Sequence, residues 1–193
     1  MKITTIFFDF VGVLLEFNTS SMVSPQVDLI DQRIGEVIDD RQFRESVLKD
    51  YCLSETQFNT ILEQVVDRYK PFDPLWQILP DLRNIYGLGI INNGTWLTYP
   101  RFNAKYCIDQ QFDSFISSAV EGVRKPDPQI YLRACEKLHV FPNQCLFIDD
   151  NMENISGAIQ VGMHGMWWET PQSGIQQFIP WIASNDGNSS IKR

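Results

Sequence analysis

The sequence predicts an α/β protein: a parallel sheet of about five strands, with a small helical block inserted after the first. Three observations predict it. Short apolar runs recur at 3–8, 88–91, 114–118, 145–148 and 163–168. They have strand length and are rich in β-branched or aromatic residues, as buried parallel strands are. Between them lie stretches with apolar residues at helical spacing, and such alternation makes parallel sheets with right-handed crossovers. Finally, acids and amides stand just after several runs, at Asp9, Asn92 to Thr95 and Asp149 to Asn151. That edge is where an open α/β sheet places its chemistry.

Taken in order, Ile3 to Phe8 is the first strand, ending in one carboxylate, Asp9, with Gly12 allowing a tight turn. Residues 16–25 read as a polar linker, and 26–70 as a helical block with apolar positions at Val27, Ile30 and Ile34, then Phe43 and Val47, then Phe58, Ile61, Leu62, Val65 and Val66. Ser54 followed by Gln57 fits a capping box for the last of these helices. Pro71 and Pro74 punctuate the exit, and Asp73 is placed to cap a helix over 74–85. After the second strand and Asn92-Asn93-Gly94, residues 95–112 are mostly helical. The loop Glu121 to Pro128 carries Lys125, and Asp127 caps a helix with Pro128 in its first turn. The fourth strand ends in Asp149-Asp150-Asn151; helices follow over about 152–161 and 172–183, and the tail 185–193 is polar.

This length fits one domain, and 44% hydrophobic residues supply a core without staples. A net charge of −8 argues against nucleic acid and anionic membranes as partners. No apolar run approaches the span of a bilayer. The four cysteines, Cys52, Cys107, Cys135 and Cys145, match no zinc spacing. Free thiols and the lack of a leader-like start predict a reducing, cytoplasmic setting.

The polar strand ends converge, because parallel strands share one carboxyl edge. Asp9, Asp149 and Asp150 with Lys125 in one crevice suit a hard divalent cation, Mg²⁺, together with an anionic group. Asn92, Asn93 and Gly94 offer amide and backbone donors to phosphate oxygens. Lys125 supplies a point charge that steadies Asp9 as an anion, and Asp9 is then free to attack phosphorus.

Four stretches carry a family resemblance: FFDFVGVLLE, IINNGT, EGVRKPDPQIY and CLFIDDNMENISGAIQVGM. In this order they resemble the four motifs of the haloacid dehalogenase superfamily, and the helical insertion stands where its C1 branch carries a cap. The resemblance implies a Rossmann-like three-layer sandwich, with a core of 1–15 and 72–184 and a cap of 16–71. It implies Asp9 as nucleophile and Mg²⁺ ligand, the backbone carbonyl of Val11 and the side chain of Asp150 as further ligands, and Asp149 beside them. Lys125 would pair with Asp9 and phosphate, Asn92, Asn93 and Gly94 would bind phosphate oxygens, and Asn154 would brace the metal shell. The implied activity is a Mg²⁺-dependent phosphatase acting on a small phosphorylated metabolite, such as a sugar phosphate, through an aspartyl-phosphate. The alternative is an inactive member that binds phosphate or a partner.

Two positions depart from the family pattern. Val11 stands where the phosphatases carry an Asp as general acid and base, whose contribution is roughly 10²- to 10⁴-fold. The carbon–halogen-cleaving branch typically has Tyr there. Asn92 replaces a hydroxyl residue but still donates a hydrogen bond. Glu16, at the edge of the insertion, is the substitute base to consider, and Phe17, Trp96 and Tyr99 are the aromatic substrate candidates nearest the catalytic loops. His139 and His164 are the only histidines.

Overall fold

The computed structural model describes residues 2–20 and 24–185; the residues of the polar tail beyond Asn185, and Ser21 to Val23 of the linker, lie outside the described part. The strands in chain order are β1 (Thr5–Phe8), β2 (Leu15–Phe17), β3 (Tyr69–Pro71), β4 (Gly87–Asn92), β5 (Ser114–Ser117), β6 (Cys145–Asp149) and β7 (His164–Trp167). Five of them form one sheet in the order β5-β4-β1-β6-β7, every neighbouring pair parallel. The fold is therefore the three-layer α/β class that the sequence predicts.

Alternation along β1 gives the sheet two buried faces. Ile6 and Phe8 join the larger core, with Leu88, Ile90, Leu146 and Ile148 beside them. Phe7 points to the other side, against Ile91, Phe147, Ile130 and Tyr131. From β1 the chain fills one flank with β4 and β5, then crosses over to add β6 and β7 on the other. The order thus reverses at β1, and the carboxyl end of β1 opens onto the crevice that such a reversal creates.

Three helices, α1 (Pro25–Ile34), α2 (Asp40–Asp50) and α3 (Glu55–Asp67), lie between β2 and β3. Ser24, Asp39 and Ser54 cap them in turn. The capping box at Ser54 is complete: the Gln57 side chain accepts from the Ser54 N–H at 2.8 Å, and the Ser54 hydroxyl accepts from the Gln57 N–H at 3.3 Å. Asp127 caps the helix Pro128–Lys137 by accepting from the Gln129 N–H at 2.8 Å.

Three local expectations change. Residues 16–17 and 69–70 are not linker and helix but strand, because β2 and β3 pair antiparallel from Leu15↔Pro71 to Phe17↔Tyr69. Each is three residues long, too short for alternation to show. The single helix expected over 74–85 is two, Asp73–Trp76 and Leu79–Arg83, with Pro80 inside the first turn of the second. A proline there has no N–H to continue the preceding helix. Asp73 sits inside its helix, and the cap position belongs to Phe72, which makes no side-chain cap bond. The segment 95–112 breaks at Cys107, which adopts a left-handed φ of 54° between Tyr99–Tyr106 and Ile108–Gln111. Among the described residues no helix is long and apolar enough to cross a membrane.

Candidate active site

Asp9 follows β1 directly, and its backbone N–H continues the sheet by donating to the Ile148 carbonyl at 2.8 Å. Its carboxylate is nearly buried. Oδ1 accepts from the Phe10 N–H at 2.7 Å and from Lys125 Nζ at 2.6 Å. Both bonds use the same oxygen, and Oδ2 has no protein donor among the described residues.

Lys125 is 1% exposed, and its ammonium lies between Asp9 and Asp149, 2.7 Å from Asp149 Oδ2. Its backbone is held by Asn93, whose Oδ1 accepts from the Lys125 N–H at 2.8 Å and whose Nδ2 donates to the Lys125 carbonyl at 3.0 Å. The helix Met152–Gln160 packs onto this loop through Gly157, where a Cβ would fall 2.4 Å from the Pro126 carbonyl oxygen. Asp149, fully buried, accepts from the Asn151 N–H at 2.8 Å and from Asn154 Nδ2 at 3.0 Å. Asn154 is itself fixed, since its carbonyl accepts from the Tyr131 hydroxyl at 2.7 Å.

Asp150 completes the cluster: Asp9, Asp149 and Asp150 offer one oxygen each, all within 4.8 Å of one another. Gly12 makes room for it. Its φ is +100°, and a Cβ there would stand 2.3 Å from Asp150 Oδ2. Three carboxylates face one ammonium. Burial, reinforced by Asp149 and Asp150 and only partly offset by Lys125, pushes the Asp9 carboxyl up to about 7. Burial also lifts Asp150, with Asp149 adding to it. Burial pulls the Lys125 ammonium down, yet Asp149 and Asp9 hold it above its ordinary value. The surplus negative charge and the all-oxygen donor set fit a hard divalent cation such as Mg²⁺.

A cavity of about 300 Å³ opens over Asp9. The sheet side of its wall comprises Asp9, Phe10, Val11, Asn92, Asn93 and Lys125; the insertion side comprises Asp31, Gln32, Ile34, Gly35, Val65 and Tyr69. Asn92 and Asn93 reach it, but Gly94 does not line it. The Gly94 N–H, a candidate phosphate donor from the sequence, instead donates to the Ser118 hydroxyl at 2.8 Å. Val11 presents an apolar side chain to the cavity, with no proton to give.

The secondary candidates lie elsewhere. Glu16 pairs with Lys70 across the β2–β3 ladder at 3.0 Å. Trp96 and Tyr99 stack on each other, centroids 4.1 Å apart, and pack on Phe115. Phe17 is 58% exposed beneath the Arg68 guanidinium. Neither histidine lines the cavity. The aromatic rings that do are Phe10, Tyr69 and Phe102. Asp31 and Tyr69 were missed by sequence reasoning. A signal existed for Asp31, which sits four residues after Val27 and three before Ile34, at the spacing of the inward stripe of α1.

An open parallel sheet with acids and a lysine gathered at its reversal point is the frame of an α/β enzyme. The chain belongs to the haloacid dehalogenase-like hydrolases, whose family profile matches residues 3–162. Flavin mononucleotide hydrolase 1 of Arabidopsis thaliana is 45% identical over 56 residues, 29% of this chain and 23% of that protein. Glyceraldehyde 3-phosphate phosphatase of Pyrococcus abyssi is 34% identical over 95 residues, 48% of this chain and 40% of that protein. The matched segments thus span less than half the length of these relatives. Among solved structures, a family enzyme from Bacteroides thetaiotaomicron, a variant in complex with magnesium and inorganic phosphate, superposes with a TM-score of 0.68. It is 17% identical, with 86% of this chain and 93% of that chain covered, and the likeness is one of fold.

Proposed function

We propose that this chain is a Mg²⁺-dependent phosphohydrolase of a small phosphorylated metabolite, with Asp9 as nucleophile. One observation carries the reading: Asp9 has both hydrogen bonds on Oδ1 and a free Oδ2 at the floor of the cavity, beside Lys125 and two further acids. In this reading a carboxylate oxygen of Asp9 forms a bond to phosphorus as the ester P–O bond breaks, giving an aspartyl-phosphate and the alkoxide of the leaving alcohol. Water then attacks phosphorus, releases the carboxylate and leaves inorganic phosphate. Lys125, together with the bound cation, would favour the anionic form of Asp9 and face the phosphoryl oxygens, and Asn92 would donate to them. Asp9, Asp150 and the Val11 carbonyl would hold Mg²⁺, with Asp149 and Asn154 supporting them. Bound there, the ion supplies neutralising charge for the phosphoryl group.

Val11 sets the character of the reaction. No side chain at that position protonates the departing oxygen, so water must do so, and esters with stable leaving groups such as sugar 1-phosphates or acyl phosphates are favoured. The insertion, residues 16–71 over a core of 1–15 and 72–184, acts as the cap that closes the cavity.

The test is phosphate release from p-nitrophenyl phosphate and a panel of phosphomonoesters. Release that requires Mg²⁺ and vanishes in Asp9→Asn is expected. Val11→Asp should raise turnover of alkyl phosphates by about 10²- to 10⁴-fold. No release from any ester with metal present would leave the alternative that Val11 motivates, a phosphate-binding protein without turnover. Halide release from a 2-haloacid would overturn both.

A further inference from the structure

The two walls of the cavity differ in chemistry. On the insertion side stands Asp31 of α1, its side chain 9% exposed. Its two protein partners meet one oxygen: the Tyr69 hydroxyl donates to Oδ2 at 2.6 Å, and Arg68 Nε lies 3.2 Å from that same atom. Oδ1 has no partner among the described residues. Arg68 is divided, because its Nη2 lies 2.7 Å from Asp28, and it does not line the cavity. Among the described residues the only cation that does is Lys125, and its ammonium is held by Asp9 and Asp149. Around Asp31 the wall mixes apolar side chains, Ile34, Val65 and Phe102, with the uncharged polar groups of Gln32, Tyr69 and Thr98. The end of the cavity away from phosphate is therefore a fixed carboxylate acceptor; Arg68, whose Nη1 is buried with no partner among the described residues, bonds Asp31 from outside the cavity lining.

We propose that Asp31 is the specificity-determining residue of this site. Its Oδ1 accepts a hydrogen bond from a hydroxyl or ammonium group on the leaving portion of the substrate. The chain thereby selects phosphate monoesters of polyols or amino alcohols and rejects esters that carry a second anionic group. The inference rests on Asp9 and Lys125 marking the phosphate end.

The physical basis is that a ligand covering Asp31 Oδ1 without donating to it leaves an acceptor unsatisfied, at a cost of roughly 1–3 kcal/mol that a matched donor removes. A second anion suffers the opposite: a like charge beside Asp31 in a poorly solvated cavity. Burial drives the Asp31 carboxyl above the usual range even though Tyr69 and Arg68 pull it down, so its charge is incompletely compensated by the protein.

The experiment is calorimetric binding to Asp9→Asn protein with Mg²⁺, which cannot form the aspartyl-phosphate. The probes are glycerol 3-phosphate and phosphoethanolamine against 3-phosphoglycerate and phosphoglycolate. The donor-bearing pair should bind about tenfold or more tightly. Adding Asp31→Asn should shrink that preference to within about threefold, chiefly by admitting the carboxylated esters. Tyr69→Phe, which frees one side of the carboxylate, should weaken it less. Should Asp31→Asn fail to fold, the preference in the Asp9→Asn background and its response to Tyr69→Phe decide the matter. Equal binding of the two pairs, a preference for the anionic pair, a preference untouched by either substitution, or no binding of any probe overturns the proposal. Turnover by the wild-type chain is read separately: a preserved preference without p-nitrophenyl phosphate hydrolysis sinks the hydrolase reading and leaves this one standing.

Discussion

The two walls of the cavity are built on different principles. On the sheet side the lysine, Asp149 and one oxygen of Asp9 are cross-linked within the protein, and Asp9 Oδ2 is left open toward the cluster of acids. Lys125 joins Asp9 to Asp149, Asn154 braces Asp149, and Asn93 clamps the Lys125 backbone on both sides. On the insertion side Asp31 is half-buried, with both of its protein partners on one oxygen. A satisfied network fixes geometry and resists substitution, whereas an open acceptor waits for a partner from outside. In the proposed reading, chemistry belongs to the first wall and selection to the second.

Substitutions at the two walls should therefore separate in size. Lys125→Met breaks the network outright, leaving two carboxylates buried without their cation. In metal-free protein it should cost about 3–5 kcal/mol, read by denaturant titration, whereas a loss below about 1 kcal/mol would show that the sheet wall is not the rigid one.

The second contrast is in pH. Asp9 titrates near 7 in the folded chain, against 3.8 as its ordinary value. A raised carboxyl favours folding while protonated, so its stabilisation is complete below the unfolded value and fades as pH rises through about 7. Metal-free wild type should thus lose ground to Asp9→Asn in melting temperature as pH climbs from 4 to 8. Mg²⁺ should narrow the gap at the alkaline end, because it favours the ionised carboxylate. Parallel curves for the two proteins would remove the surplus negative charge from the account.

The smallest effect lies farthest from the chemistry. Ser54→Ala removes the capping box of α3 and should cost about 1 kcal/mol by thermal melting. It should leave the affinity for Mg²⁺ unchanged. A shift in metal affinity would mean that the walls are not separable.

The sheet wall was legible in the sequence because its residues follow strands. β1, β4, β5 and β6 announce themselves as apolar runs, and parallel pairing brings the polar residues after them to one edge. Lys125 was found through the loop after β5. The insertion wall was harder to read. Asp31 reaches the cavity through the rotation of α1, and Tyr69 through a three-residue strand whose pairing is nonlocal. Gly94 shows the opposite failure: the right motif, but with its N–H drawn aside by Ser118, eighty-one residues from the Val37 carbonyl to which that hydroxyl also donates. Such competition between acceptors for one N–H depends on tertiary neighbours that a linear motif does not contain.

The β2–β3 ribbon sets the terms on which this molecule can change. It holds the two crossing points side by side, Leu15 against Pro71, so the intervening segment is a loop already closed at its base. Doubling the length of a closed loop costs only about 0.6 kcal/mol of chain entropy. Insertions of very different size can be mounted on that base while Asp9 stays where it is, and diversification becomes a matter of grafting rather than rebuilding.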